Sequence, residues 1–442
     1  MPAESVDLLI APRWVLPMAP VNTVLTDHAV AIRDGRIVAL GPLTLLEQRL
    51  RAGEIIRRPN HALLPGLVNA HSACALTALR GLPVQPPRAR WRRETVEPLL
   101  QRWSSPDLVR DGLLLAMADM LRAGVTAFAD TGEFPEAAAH AAATLRMRVG
   151  IGLPIADMPG RTADSATAYL AQAERLWDSY RDHPWVALYF APQDANDISD
   201  ETLTRVRRIA DELDARIAMP VQESDLMVLD CLSRHGRRPL QRLEELGLLR
   251  PGFAAINMTR VLPQDCALAA RNGIQVIACT HSDLRLGSGA CPVYLLDKAG
   301  VSVGFGSGDP VSAGGFDVLA EARTAALLVS GTSNGSEFLP AADALRMATL
   351  GGAQALGLGS TIGSIEIGKM ADLTCVHLQS AAAVAERVPE TLLYDGTVRQ
   401  VTDVWTSGRA AVSAGELLGY DAQQFDALLE SWTRRLYPGV TA

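Results

Sequence analysis

Eight short apolar runs dominate the middle of the chain, at 63–69, 125–130, 148–153, 186–191, 216–221, 253–258, 274–279 and 301–306. An apolar run of this length between Gly, Pro and polar residues reads as a buried strand. Helical patterns lie between the runs, for example at 107–122, 200–213, 263–272 and 316–329. Several open on Ser, Asp or Pro, residues suited to a helix's first turn. Eight strands alternating with helices over about 300 residues is the count of an α/β fold of the (β/α)8, or TIM barrel, type. A doubly wound open sheet is the structural alternative, but no Gly-x-Gly-x-x-Gly turn follows any strand.

The two ends have a different texture. Near the N-terminus, Val30 and Ile32 alternate before Asp34-Gly35, and Ile37 and Ala39 follow it. Asp-Gly between alternating apolar residues is a strong hairpin signal. The C-terminal part repeats this. Ile365 to Leu373 leads into a strand, and 401–405, Ser407-Gly408 and 410–412 form a second hairpin pattern. Two strand-rich ends around one long middle predict a small β-sandwich built from both. The expected organisation is 1–60 and 363–420 as the two parts of that sandwich, 61–362 as the barrel, and 421–442 as a C-terminal helix and tail. The helix pattern is carried by Phe425, Leu428, Leu429, Trp432 and Leu436.

Composition excludes several classes. The 442 residues are 48% apolar and 20% charged, as in ordinary globular chains. The net charge of −8, with both signs spread along the chain, argues against a nucleic-acid or anionic-membrane partner. The densest basic patch, Arg88-Ala89-Arg90-Trp91-Arg92-Arg93, reads as a solvated loop or as an anion contact near the site. The N-terminus has no basic-then-apolar signal pattern and no run of 18 apolar residues occurs, so a cytoplasmic location is expected. Six scattered cysteines without a Cys-x-x-Cys pair read as reduced core residues.

In such a barrel, chemistry sits at the C-terminal strand ends. Those positions hold His71, Asp130, Gln193, Gln222 with Glu223, Asn257, His281 and Asp309. Some could merely cap the following helices. Taken together they form a polar ring, which implies a cleft. Glu223, His71, His281 and Asp309 are the candidate catalytic residues. Gln193, Gln222, Asn257, Asp130 and Trp91 are the candidate ligand-binding ones. Cys74 could be a nucleophile near an imidazole, or a buried core thiol.

The stretch Pro65-Gly66-Leu67-Val68-Asn69-Ala70-His71-Ser72-Ala73 resembles the Pro-Gly-Leu-Val-Asn-Ala-His-x-His signature of the amidohydrolase superfamily. Within it, the match is to the branch of methylthioadenosine/S-adenosylhomocysteine deaminases and triazine hydrolases. The resemblance continues through Met120-Leu121-Arg122-Ala123-Gly124-Val125-Thr126, His235-Gly236, Ser288-Gly289, Cys291-Pro292-Val293 and Ala344 to Thr349. It implies a barrel-and-sandwich fold, hydrolysis of a C–N bond on an adenine-like ring, and a homodimer or larger oligomer.

It also implies a zinc-type ion held by His-x-His on strand 1, one His each on strands 5 and 6, and an Asp on strand 8. His71 matches the first. The other positions hold Ala73, Pro220, Asn257 and Gly308, with Asp309 one residue late and the catalytic Glu retained as Glu223. Catalytic zinc needs at least three protein ligands at about 2.0–2.3 Å. Ala, Pro and Gly offer no side-chain donor, and Asn is a weak one. No metal or other cofactor is therefore expected. The expected partner is a small purine-like or heteroaromatic compound bound in the barrel mouth. Two alternatives are metal-independent acid/base chemistry by Glu223 with His71 or His281, and a deaminase with a relocated metal on His71, Glu223, His281 and Asp309.

Overall fold

The computed structural model describes residues 4–378, 384–395 and 399–436. The N-terminal strands are β1 (Glu4–Val15), β2 (Leu25–Thr26), β3 (His28–Arg33), β4 (Arg36–Pro42) and β5 (Leu50–Pro65). The barrel strands are β6 (Leu67–Ser72), β7 (Val125–Thr131), β8 (Arg148–Ile155), β9 (Val186–Pro192), β10 (Arg216–Val221), β11 (Phe253–Asn257), β12 (Gln275–Ala278) and β13 (Ser302–Phe305). The C-terminal strands are β14 (Leu373–Leu378), β15 (Arg399–Thr406), β16 (Arg409–Ser413) and β17 (Glu416–Leu417).

β6 to β13 form one eight-stranded parallel sheet in chain order. The two edges meet where Ala73 N–H donates to Gly308 O (3.1 Å) and Gly308 N–H donates to His71 O (3.0 Å). This is the barrel that the alternation of runs and helices predicts. Its interior is filled mostly by small and medium side chains, among them Val68, Ala70, Ala127, Ala129 and Ile277, together with the larger Tyr189. The outward faces of the strands pack beneath the helices in a much larger apolar cluster that includes Phe128, Phe190, Phe253 and Phe305.

The nine remaining strands form a second sheet from both chain ends, running β17-β16-β15-β14-β5-β1-β3-β4, with β2 on β1. The Asp34-Gly35 hairpin occurs as read: Ile32 faces Ile37, and both turn residues have positive φ, 50° and 74°. The Ser407-Gly408 turn is of the same kind, with φ 49° and 73°. The two turns meet, because Gly35 O accepts from Ala371 N–H and Ala371 O accepts from Gly408 N–H. The sheet thus folds over its own apolar face, with Leu8, Ile32, Ile37, Leu373 and Trp405 inside.

One expected boundary is wrong for a physical reason. Leu63, Leu64 and Pro65 belong to β5 and pair with β14, not with the barrel. The first barrel strand begins at Leu67. Gly66 separates the two, and a Cβ there would collide with Thr126 at the start of β7. The C-terminal helix Ala422–Leu436 lies against the helix Pro106–Arg122, where Trp432 Nε1 donates to Asp111 (2.9 Å). The expected tail beyond 436 lies outside the described residues. Among those described, no helix is long and apolar enough to cross a membrane.

Candidate active site

The C-terminal ends of the barrel strands place a guanidinium among carboxylates. Arg88 comes from the segment after β6. Its Nε lies 2.5 Å from Glu223 Oε1, just past β10, and its Nη2 lies 2.7 Å from Asp283 Oδ1, in the first turn after β12. Nη2 also donates to Ser282 Oγ and Nε to Ser288 Oγ, both at 3.3 Å. Asn257, at the end of β11, donates its amide to the same Asp283 Oδ1 at 2.8 Å. Asp283 is fully buried, and its Oδ2 has no hydrogen-bond partner. His71 Nδ1 is likewise buried and unpartnered.

Electrostatics follow from this packing. Burial pushes the Asp283 carboxyl up to about 7, against the opposing pull of Arg88. Burial lowers the His71 imidazole to about 4, and the Arg88 charge lowers it further in the same direction. His71 is therefore neutral near pH 7. For Arg88, burial works against the charge, but Glu223, Asp283 and Asp309 outweigh it and hold the guanidinium above its ordinary value.

Several expected residues are elsewhere employed. Both ring nitrogens of His281 are taken by the helix Val318–Thr332: Nδ1 is 3.2 Å from Glu321 Oε1 and Nε2 is 2.7 Å from Thr324 Oγ1. It makes no pair with Glu223. Asp309 caps a short helix, accepting from Ser312 N–H (2.8 Å) and from the Ser312 hydroxyl. His281 and Asp309 thus spend their side chains on groups of the helices that follow them. Among the described residues no three His, Cys, Asp or Glu side chains are grouped to hold an ion.

The ligand-binding candidates divide similarly. Gln222 is fully buried and ties loops together, donating to Arg260 O (2.9 Å) and Asp265 Oδ2 (3.1 Å) and accepting from Leu240 N–H (3.3 Å). Gln193 is exposed. Its neighbour Asp194 is the residue that burial raises to about 6, with the Glu223 charge adding to the rise. Asp130 accepts from Cys74 N–H (2.7 Å) and is raised by burial to about 6. Trp91 is an apolar anchor among Leu76, Leu79, Val96, Leu286 and Val311. Burial raises the Cys74 thiol well above its usual value, which disfavours a thiolate nucleophile and fits the core reading.

Sequence reading missed Asp283 and Asp194, and it left Arg88 undecided between solvent and anion contact. Gln222, Asn257 and Met258 have φ of 50°, 72° and 47°. Backbone strain of this kind concentrates at functional sites. Only Asn257 of the three also contacts the charged cluster.

An eight-stranded barrel with polar groups at one rim, docked on a sheet from both termini, places the chain among the α/β-barrel proteins with a second β domain. Residues 62–411 match the amidohydrolase family, and the chain belongs to it. It is 33% identical to 5-methylthioadenosine/S-adenosylhomocysteine deaminase of Teredinibacter turnerae over 98% of each chain. It is 34% identical to that of Saccharophagus degradans over 96% of each. Among solved structures, a zinc-bound adenosine deaminase from Xanthomonas campestris superposes with a TM-score of 0.95 at 37% identity, covering 99% of this chain and 100% of that one. The atrazine chlorohydrolase of Arthrobacter aurescens, with zinc, shares the fold at 22% identity and a TM-score of 0.87, covering 96% and 99%.

Proposed function

We propose that this deaminase relative binds a small purine-like or heteroaromatic compound in the barrel mouth without a zinc-type ion. The observation that carries the reading is the donor set. Of the positions where the family resemblance places metal ligands, Ala73, Pro220 and Gly308 have no side-chain donor. Asn257 donates its Nδ2 amide to Asp283 and offers an ion only a neutral amide oxygen, a weak ligand for zinc. His71 alone retains a ligand-type nitrogen there. These residues do not fit zinc, which needs three or more anionic or imidazole ligands. A metal-bound water is accordingly no part of the chemistry proposed.

Glu223 and a neutral His71 support a second reading, metal-independent proton transfer in the same mouth. In it, turnover survives chelator and is lost in Glu223→Gln.

The test is elemental analysis of protein expressed with zinc and manganese and purified without chelator. It is combined with thermal shift and ammonia release over a panel of adenosine analogues, guanine and triazines. The expected result is metal well below one per chain, with stabilisation by at least one panel member. One metal per chain with chelator-sensitive ammonia release overturns the proposal.

A further inference from the structure

The four arginines of the 88–93 segment behave differently. Arg90, Arg92 and Arg93 stay in solvent, with side-chain exposures of 60, 65 and 75%, and pair locally with Glu94 and Glu97. Arg88 alone turns inward, at 24%. It reaches residues 135 and 195 positions away in sequence, beyond the ends of two different barrel strands. Its own backbone is fixed: Arg88 N–H donates to Leu286 O (3.2 Å), and Trp91 Nε1 donates to Pro83 O (3.3 Å) from an apolar socket. The segment is thus anchored at the rim, with one long side chain laid across the strand ends.

That side chain meets a receptor of defined chemistry. Nε and Nη2 are the two ends of an N–C–N fork, and each faces a separate carboxylate, Glu223 on one side and Asp283 on the other. Two carboxylates this close and this little hydrated repel unless a cation lies between them. A guanidinium is planar, permanently charged and weakly hydrated, so it suits such a place better than an ammonium does. Asn257 adds a neutral donor to the Asp283 oxygen. The unpartnered Asp283 Oδ2 leaves capacity for one more donor.

We propose that Arg88 is the built-in cation of the barrel mouth, and that Glu223 and Asp283 form a receptor for a planar amidinium- or guanidinium-type group. The arginine side chain occupies that receptor, tethered to the rim. A free compound of the same class takes its place when the side chain is removed. This rests on the reading that no zinc-type ion lies there.

The test uses the full chain with Arg88→Met, and methylguanidinium chloride at low millimolar concentration as the probe. Tetramethylammonium chloride is the control for ionic strength. The variant is expected to melt about 5 °C or more below the unaltered protein. Methylguanidinium restores at least half of that loss along a saturable curve, tetramethylammonium restores none, and the unaltered protein does not respond. Adding Glu223→Gln to Arg88→Met abolishes the recovery. If Arg88→Met gives no folded protein, the yield on refolding with each salt is the readout, and only methylguanidinium is expected to raise it. Equal melting of Arg88→Met and the unaltered protein overturns the proposal. So does an equal response to the two salts. Failure of the heterocycle panel leaves these outcomes unaffected, so the two readings fail separately.

Discussion

The side-chain amide of Asn257 donates to Oδ1 of Asp283 at 2.8 Å, and both residues are buried. The contact joins the end of β11 to the turn after β12. Asn257 gives this hydrogen bond at the position where the family resemblance expects a metal-binding imidazole. Asn257→Asp places a second carboxylate against the first, in a place already crowded by Glu223. Its expected cost is about 3 kcal/mol at pH 8, read by denaturant unfolding. The loss shrinks on acidification as one of the two carboxyls takes a proton. An Asn257→Asp protein as stable as the original at pH 8 contradicts the burial and pairing of Asn257 and Asp283.

The site makes two opposite contributions to the pH dependence of stability. Asp283, Asp130 and Asp194 have folded values raised by burial to about 7, 6 and 6. The folded chain holds those protons more tightly than the unfolded one. Their favourable contribution is complete below the ordinary carboxylate value and is lost as pH rises from about 4 to 7. His71 is depressed to about 4, so the unfolded chain protonates first, and stability falls as pH drops from 6.5 to 4. His71→Gln removes that second term alone. Over pH 4–6.5 the variant should gain on the unaltered protein by on the order of 2 kcal/mol toward the acid end. Parallel stability curves for the two proteins would show that His71 is not depressed.

The barrel and the terminal sheet are joined by a buried ion pair. Arg148, at the start of β8, donates from Nε to Asp372 Oδ2 at 2.9 Å and from Nη2 to Ser407 Oγ at 2.6 Å. Asp372 Oδ1 accepts from Ser407 N–H, and Asp372 O accepts from Gly66 N–H. Asp372→Ala leaves a guanidinium at 10% exposure without its counter-charge. Such removals cost about 3–5 kcal/mol. Thermal unfolding should show this loss, while the metal content and salt response of the mouth stay unchanged.

Legibility in the sequence tracks how local each cause is. The barrel strands are apolar runs, and the turns at Asp34-Gly35 and Ser407-Gly408 are set by residues that tolerate positive φ, so both are visible in short windows. The limit of the first barrel strand is not. The run 63–69 carries Pro65-Gly66 at its middle, which reads equally as an interruption within one strand, and the packing of Gly66 against Thr126 makes it the break between two. The site is legible in part. Glu223 and His71 carry motif neighbours, whereas the Arg88–Asp283 contact spans 195 residues and leaves no periodic trace. His281 looked like a site residue because it follows an apolar strand. Its partners Glu321 and Thr324 lie on a helix 40 and 43 residues further on, and their claim on the ring is invisible locally.

Rebuilding the metal site would set an ion against the Arg88 guanidinium. Ala73→His, Pro220→His, Asn257→His and Gly308→Asp together return every ligand type the resemblance calls for. Two features oppose them. Gly308 has φ 67°, where a side chain is strained, and its Cβ would lie 3.1 Å from both Cβ and Oγ of Ser282. Arg88 donates to that same Ser282 Oγ, so a fixed positive charge stands beside the rebuilt ligands. Repulsion between a guanidinium and a divalent ion in a poorly hydrated site is large compared with the gain from one added ligand. The fourfold variant is therefore expected to fold but to take up far less than one zinc per chain. Adding Arg88→Ala is expected to raise zinc content several-fold. Stoichiometric zinc in the fourfold variant with Arg88 intact would mean that the guanidinium and the ion do not compete for one place.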